Sequence, residues 1–246
     1  MMLEITLAKL NQLKLAGMAE ALVEQTQSTI YSGLSFEERL GMLVDKEVTL
    51  RDNRRLANLL KGAKLRYSNA CPEEIDFRTP RGLSKDVIIS LMQNGWVKGK
   101  QNVIITGPTG NGKTFIACAL ANSACRSGYS SHYVRLPRLL QEMNIAKGDG
   151  SYGKLLARLA KYVILVIDDW GLAKLGDKER RDLLEVLEDR HGISSTIIVS
   201  QIPIEKWYDI IGDPTIADAV LDRLVHNAHM ITMKGESMRK LMSKTK

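Results

Sequence analysis

Gly107-Pro108-Thr109-Gly110-Asn111-Gly112-Lys113-Thr114 decides how this chain is read. The stretch fits G-x-x-x-x-G-K-[ST] in full, with the apolar run Val103-Ile104-Ile105 ahead of it and a helical pattern behind it. Glycines let successive backbone N–H groups turn inward around phosphate oxygens, and the N-terminus of the following helix adds a field that favours an anion. In such a loop Lys113 reaches the β- and γ-phosphates and Thr114 ligates Mg²⁺. A ligand-free turn between strand and helix has no need of Lys and Thr at these places. Gly107, Pro108, Thr109, Gly110, Asn111, Gly112, Lys113 and Thr114 are therefore the expected ATP-binding residues, with Mg²⁺ as the companion ion.

Downstream, Val163 to Ile167 reads as a buried strand that ends in Asp168 and Asp169. An ordinary central strand with a polar end is the plainer reading. Its place after the phosphate loop argues for more, because the Mg²⁺ ion still needs a carboxylate and Asp168 fits. Asp169 is placed to orient or deprotonate an attacking water as general base. Two adjacent acids favour hydrolysis over phosphate transfer to a bound acceptor, which speaks against a P-loop kinase of a small metabolite.

The other expected strands are Asn102 to Thr106, Ser131 to Arg135, Thr196 to Ser200 and His229 to Met233, with helices between them, among them Lys113 to Arg126 and Lys178 to His191, the latter stopped by Gly192. Alternating strands and helices predict an α/β fold, a parallel sheet covered on both faces. The long gap from Thr114 to Asp168 holds the strand Ser131 to Arg135. The strand Thr196 to Ser200 then lies between the phosphate-loop strand and the acidic strand, an order of 5-1-4-3-2. That brings Gln201 to the γ-phosphate as a sensor, with Ser200 a lesser candidate and a plain polar loop start the alternative.

Ahead of this core, residues 1–67 read as a small all-α domain. Leu3, Leu7, Leu10 and Leu13 form one apolar stripe, Gly17 interrupts, and Met18, Ala21 and Leu22 restart it. Ser35 and Glu38 have capping-box spacing and open a helix carrying Leu40, Leu43, Val44 and Glu47. Its continuation holds Arg51, Arg54, Arg55, Lys61, Lys64 and Arg66 against Asp52, either a solvated face or a surface for DNA or a partner. Residues 68–82, with Pro72 and Pro80 and no helical period, read as a linker. Residues 83–246 form the nucleotide-binding domain. The net charge of +7 suits a polyanion. No apolar run approaches the roughly 20 residues of a membrane span, the N-terminus lacks signal-peptide features, and Cys71, Cys118 and Cys125 make no C-x-x-C pair. Reduced buried thiols in a cytoplasmic protein without a membrane partner follow.

Four stretches together resemble one family: the phosphate loop, Asp168-Asp169-Trp170-Gly171, Ser200-Gln201-Ile202-Pro203 and the run Asp218 to Asn227 containing Asp222-Arg223-Leu224-Val225-His226. They are similar to the IstB family, AAA+ ATPases that assist transposition of insertion sequences and that resemble the DnaC helicase loader. The segment Leu13 to Leu22 and the tail Lys234 to Lys240 share the likeness. The resemblance implies an AAA+ P-loop core without a C-terminal lid, since the residues after Met233 are too few for one. It implies an ATPase in which Lys113, Asp169 and Gln201 act in one subunit and Arg223 serves as an arginine finger on a neighbour's ATP. A salt bridge from Arg223 to Asp222 or Asp218 is the alternative. Arg239 is a weak candidate for a second sensor, and the basic tail, with Lys244 and Lys246, an equal candidate for phosphate contacts.

By that resemblance the chain assembles as a homo-oligomer on double-stranded DNA with ATP and presents the DNA to a cognate transposase, hydrolysis driving disassembly. A DnaC-like replicative helicase loader is the alternative. Arg135, Arg138, Lys147, Lys154, Arg158 and Lys161 cluster in the insertion between the second strand and the acidic strand. Arg135, Arg138, Lys154 and Arg158 are the favoured DNA contacts, of the sequence-tolerant, salt-dependent kind.

Overall fold

The computed structural model describes residues 2–238 and 240. Arg239, Lys244 and Lys246 of the expected basic tail lie outside them. By its internal contacts the chain divides into two compact units, Met1–Asn58 and Leu59–Lys246. The division falls inside one helix and not at the expected boundary after residue 67.

The first unit is all-α. Helix α1 spans Met2–Gln12, α2 spans Ala16–Gln27, and α3, which continues into the second unit, spans Phe36–Ala63. The break between α1 and α2 falls at 13–15, where Lys14 takes a left-handed φ of +59°, so Gly17 lies inside α2 and does not interrupt it. The Glu47 carboxylate accepts hydrogen bonds from the backbone N–H groups of Gly17 and Met18, at 2.7 and 3.3 Å. These N–H groups lie in the first turn of α2 and have no partner within that helix, so α3 satisfies what α2 cannot. Ser35 and Glu38 form the expected capping box, Glu38 accepting from Ser35 N at 2.7 Å and Ser35 Oγ accepting from Glu38 N at 3.2 Å.

The second unit holds α4 (Lys85–Met92), α5 (Gly95–Lys98), β1 (Asn102–Thr106), α6 (Lys113–Arg126), β2 (Ser131–Arg135), α7 (Leu136–Gly148), α8 (Tyr152–Ala160), β3 (Ile164–Trp170), α9 (Asp177–Glu188), β4 (Ser195–Ser200), α10 (Trp207–Ile211), α11 (Pro214–Val225) and β5 (Ala228–Thr232). The strands pair in parallel in the order β2-β3-β4-β1-β5, which is the expected order read from the other edge. The last strand begins one residue earlier than its pattern suggested, and the helix expected to run from Lys178 to His191 spans Asp177–Glu188.

Strand residues alternate between two cores, as a sheet buried on both faces requires. Val103, Ile105, Ile164, Val166, Ile197 and Val199 face α6 together with α4 and α5. Ile104, Leu165, Ile167 and Ile198 face α7, α8, α9 and α11. Residues 68–82, expected as a linker, contribute Ala70 and Ile75 to the first of these cores and bury Arg81. This segment is packed structure, because its few apolar side chains fall on the α6 face.

At the end of the sheet away from the phosphate loop, Arg190 is 1% exposed. Its guanidinium donates to the carbonyls of Leu159 and Tyr162, both at 2.8 Å, to that of Ser195, and to Thr196 Oγ1 at 3.2 Å. It therefore ties the approaches to β3 and β4, the strands that carry Asp168 and Gln201. Replacing Arg190 with Leu strands several buried carbonyls, each costing about 1–3 kcal/mol. The expected loss for Arg190→Leu is about 3 kcal/mol of stability in urea unfolding, and an unchanged midpoint would refute the clamp.

Candidate functional site

The phosphate loop leaves β1 at Thr106, whose carbonyl accepts from Met233 N at 2.8 Å. Gly107 follows with φ +144°, and a Cβ there would stand 2.3 Å from the Met233 carbonyl oxygen. At Gly112, φ +95°, a Cβ would come within 2.5 Å of Arg81 Nη1. Gly107 thus requires glycine for close approach to backbone as well as for its conformation, and Gly112 requires it for its conformation. Arg81 donates from Nη1 to the Asn111 carbonyl at 3.0 Å and from Nη2 to the Asp76 carbonyl at 2.6 Å. Burial lowers the pKa of its guanidinium. Lys113 Nζ donates to the Pro108 carbonyl at 2.7 Å and lies 3.4 Å from Asn111 Oδ1, its ammonium held over the loop.

The acidic strand reaches the loop through an irregularity. Alternation along β3 puts Val166 and Asp168 on the α6 face and Ile167 on the other. The pairing with β4 then shifts register between Ile167 and Trp170, and Asp169 takes φ +60°. The extra residue returns Trp170 to the second core, where it packs against Trp207 with ring centroids 5.0 Å apart. The two carboxylates therefore do not sit on opposite faces of a flat strand. Asp168, 2% exposed, accepts from Thr114 Oγ1 at 2.9 Å, Tyr133 OH at 2.7 Å and Asp169 N at 2.8 Å. Asp169 pairs instead with Arg135 Nε. Burial, and then the charge of Asp168, push the Tyr133 phenol well above its ordinary pKa, so it stays a donor. The bond to Asp169 raises the pKa of the Arg135 guanidinium, which stays charged.

Thr114 and Asp168 offer a hydroxyl and a carboxylate oxygen within 2.9 Å of one another, the hard-oxygen set that Mg²⁺ takes when nucleotide phosphates complete its shell. The residues present fit the ion. Beside them lies a cavity of about 700 Å³, lined among others by Thr109, Lys113, Asp168, Asp169 and Gln201. That volume is in the range of small-molecule sites. Thr109 Oγ1 donates to Gln201 Oε1 across the cavity. Ser200 and Gln201 both line the cavity; Ser200 Oγ is taken up by the Trp170 carbonyl at 2.9 Å and by Ile202, whereas the Gln201 side chain bonds the loop residue Thr109.

Comparison with known proteins agrees with this geometry. Residues 8–246 match the family of IstB-like ATP binding proteins. The chain belongs to that family. It is 47% identical to an insertion sequence ATP-binding protein of Sinorhizobium fredii over 96% of both chains. It is 51% identical to that of insertion sequence IS1162 from Pseudomonas fluorescens, over 82% of this chain and 88% of the other. Among solved structures, DnaI superposes with a TM-score of 0.58 at 20% identity, covering 72% of this chain and 93% of that one. The DnaC helicase loader does so with 0.54 at 19%, covering 65% and 95%. These likenesses show a shared α/β fold.

The remaining sites expected for such a protein are spread over the second unit. Arg223 lies outside the ATP cavity. Its guanidinium pairs with Glu188, approaches Asp222 at 3.7 Å and donates to the Ala219 carbonyl at 2.9 Å. Its own carbonyl accepts from Asn102 at the start of β1, at 2.9 Å, so the length of that strand, about 13 Å, separates it from the phosphate loop. Arg138 and Arg158 share Glu142, at 3.5 and 3.8 Å, and Lys154 lines the same shallow groove of α7 and α8. Arg135 departs from that group and enters the ATP cavity. Lys147 pairs with Asp182.

Sequence reasoning missed Arg81, Tyr133 and the Asp169 partnership of Arg135. Tyr133 was findable, since it alternates with Val134 and faces α6 once β2 is set beside β3. Arg81 carries no motif; only the folded loop gives it a carbonyl to hold. Behind the site, burial pushes the Cys118 thiol up to about 11 and raises that of Cys125, while Cys71 is partly exposed. At pH 8 about one Cys118 in a thousand is then a thiolate. Iodoacetamide should label Cys71 first and reach Cys118 and Cys125 only on unfolding; equal labelling of all three in the native protein would contradict this packing.

Proposed function

We propose that the protein is an ATPase that assembles on double-stranded DNA with ATP, delivers that DNA to the transposase of an insertion sequence, and disassembles on hydrolysis. The observation that carries the reading is the division of the site. Lys113, Thr114, Asp168, Asp169 and Gln201 converge on one cavity, while Arg223 stands beyond the far end of β1. A cation so placed serves the ATP of another subunit, and a complete site then exists only in an oligomer. Curated relatives that span both units are insertion-sequence ATP-binding proteins, which favours transposition over helicase loading.

Residue by residue, the loop N–H groups and Lys113 bind the phosphates, and Thr114 and Asp168 would hold Mg²⁺, which would supply positive charge beside the transferred phosphoryl group. Asp169 orients water and accepts its proton. Its Oδ2 is paired with Arg135, which leaves Oδ1 to take that proton. Gln201 reports the γ-phosphate through its bond to Thr109. Arg223 of an adjoining subunit stabilises charge on the γ-phosphoryl oxygens in the transition state. Arg138, Lys154 and Arg158 contact DNA phosphates.

Lys113→Ala should abolish nucleotide binding, measured by fluorescent nucleotide titration. Arg223→Ala should bind ATP normally yet lose DNA- or assembly-stimulated turnover by about a thousandfold or more. Full turnover by a monomeric Arg223→Ala protein would exclude the finger. Duplex-DNA binding should require ATP and weaken steeply between 50 and 200 mM salt, by about a factor of ten or more for a few phosphate contacts. Tight ATP-dependent capture of a hexameric helicase, with no response to transposase, would favour a loader instead.

A further inference from the structure

One cation of the cavity is not used by the chemistry above. Helix α3 ends at Ala63, Lys64 turns the chain with φ +48°, and two residues later Arg66 lines the ATP cavity. The segment packs on the phosphate-loop helix, the Tyr67 ring lying 6.0 Å from that of Phe115, next to Thr114. The Arg66 guanidinium lies 5.9 Å from the Tyr67 ring centre. It lines the same cavity as Asp168, the carboxylate expected to hold the metal, to which Tyr133 donates at 2.7 Å. The other basic residues of this run, Arg51, Arg54, Arg55, Lys61 and Lys64, do not line the cavity.

We propose that Arg66 is a cis-acting ligand of the γ-phosphate, which makes the subunit's own affinity favour ATP over ADP. The assignment rests on the ATP site proposed above and adds to it a residue from the segment leaving α3. Thr114 and Asp168 mark the side of the cavity where Mg²⁺ would be held beside the terminal phosphates, and Arg66 lines the same cavity. The contact it makes here is with the face of the Tyr67 ring. A charged phosphoryl group offers a guanidinium two charge-assisted bonds in a matching fork, each about twice as strong as a neutral one. A γ-phosphate within reach therefore holds Arg66 more strongly than the ring does, and its loss removes that hold.

The test compares the full-length wild type with Arg66→Ala and Arg66→Lys, titrated with fluorescent ADP and a fluorescent non-hydrolysable ATP analogue, each with Mg²⁺. Arg66→Ala should weaken the ATP analogue about ten- to a hundredfold while ADP changes less than threefold, and Arg66→Lys should recover part of the difference. Thermal melting of both variants confirms folding; if the alanine protein does not fold, the lysine protein must still show a reduced preference for the ATP analogue. An unchanged ATP-to-ADP ratio, or equal loss of both nucleotides, overturns the proposal. So does weakened DNA binding with normal nucleotide preference, which would assign Arg66 to the basic face of α3. Lys113→Ala is the separate control. If it keeps both nucleotides, the phosphate-loop reading itself fails, whereas loss of both in that control with an unchanged ratio in Arg66→Ala rejects the Arg66 assignment alone.

Discussion

A carboxylate withdrawn from water must be given donors, and the ATP end of this protein is organised around the donors given to Asp168. Burying an uncompensated charge costs several kcal/mol, on the order of the whole stability of a domain. Thr114 from the phosphate-loop helix, Tyr133 from β2 and the backbone of Asp169 from β3 meet that demand. Satisfying one carboxylate therefore brings three separate elements into register. The same arrangement leaves a hydroxyl and a carboxylate oxygen together, ready for a hard cation.

The bulge in β3 gives the second carboxylate a different fate. A regular strand would turn Asp169 into the apolar core against α7 and α9 and push Trp170 toward α6. The left-handed backbone at Asp169 removes both conflicts. It keeps Trp170 against Trp207 and frees Asp169 to meet Arg135 at the end of the neighbouring strand. Backbone strain here, on the order of 1–3 kcal/mol, is repaid by the buried tryptophan. The catalytic geometry is thus a by-product of packing on the opposite face of the sheet.

The phosphate loop is likewise shaped from outside its own motif. Met233, after the last strand, closes on Gly107, and Arg81, ahead of the first strand, closes on Gly112 and holds the Asn111 carbonyl. Segments far apart in sequence therefore fix the loop before nucleotide arrives, which lowers the ordering cost of binding. Arg223, by contrast, is fixed by Glu188 at the other end of the sheet.

The sequence by itself determined the strands, their order and the place of the glycine-rich loop between β1 and α6, because the signals are apolar runs of strand length, a glycine-rich turn, and Lys and Thr at fixed offsets. It also placed the capping box at Ser35, where two side chains three residues apart satisfy each other. It could not show that residues 68–82 belong to the core, since Ala70, Ile75 and Arg81 gain partners only from elements remote in the chain. Nor could it separate Arg135 from its basic neighbours; charge is legible in sequence, whereas the pairing of a charge depends on which strand lies alongside. Only the tertiary structure decided that Arg135 meets Asp169, that Tyr133 serves Asp168, and that Arg66 enters the cavity. Each is a contact across the sheet or onto α6, made by burial and alternation acting at long range.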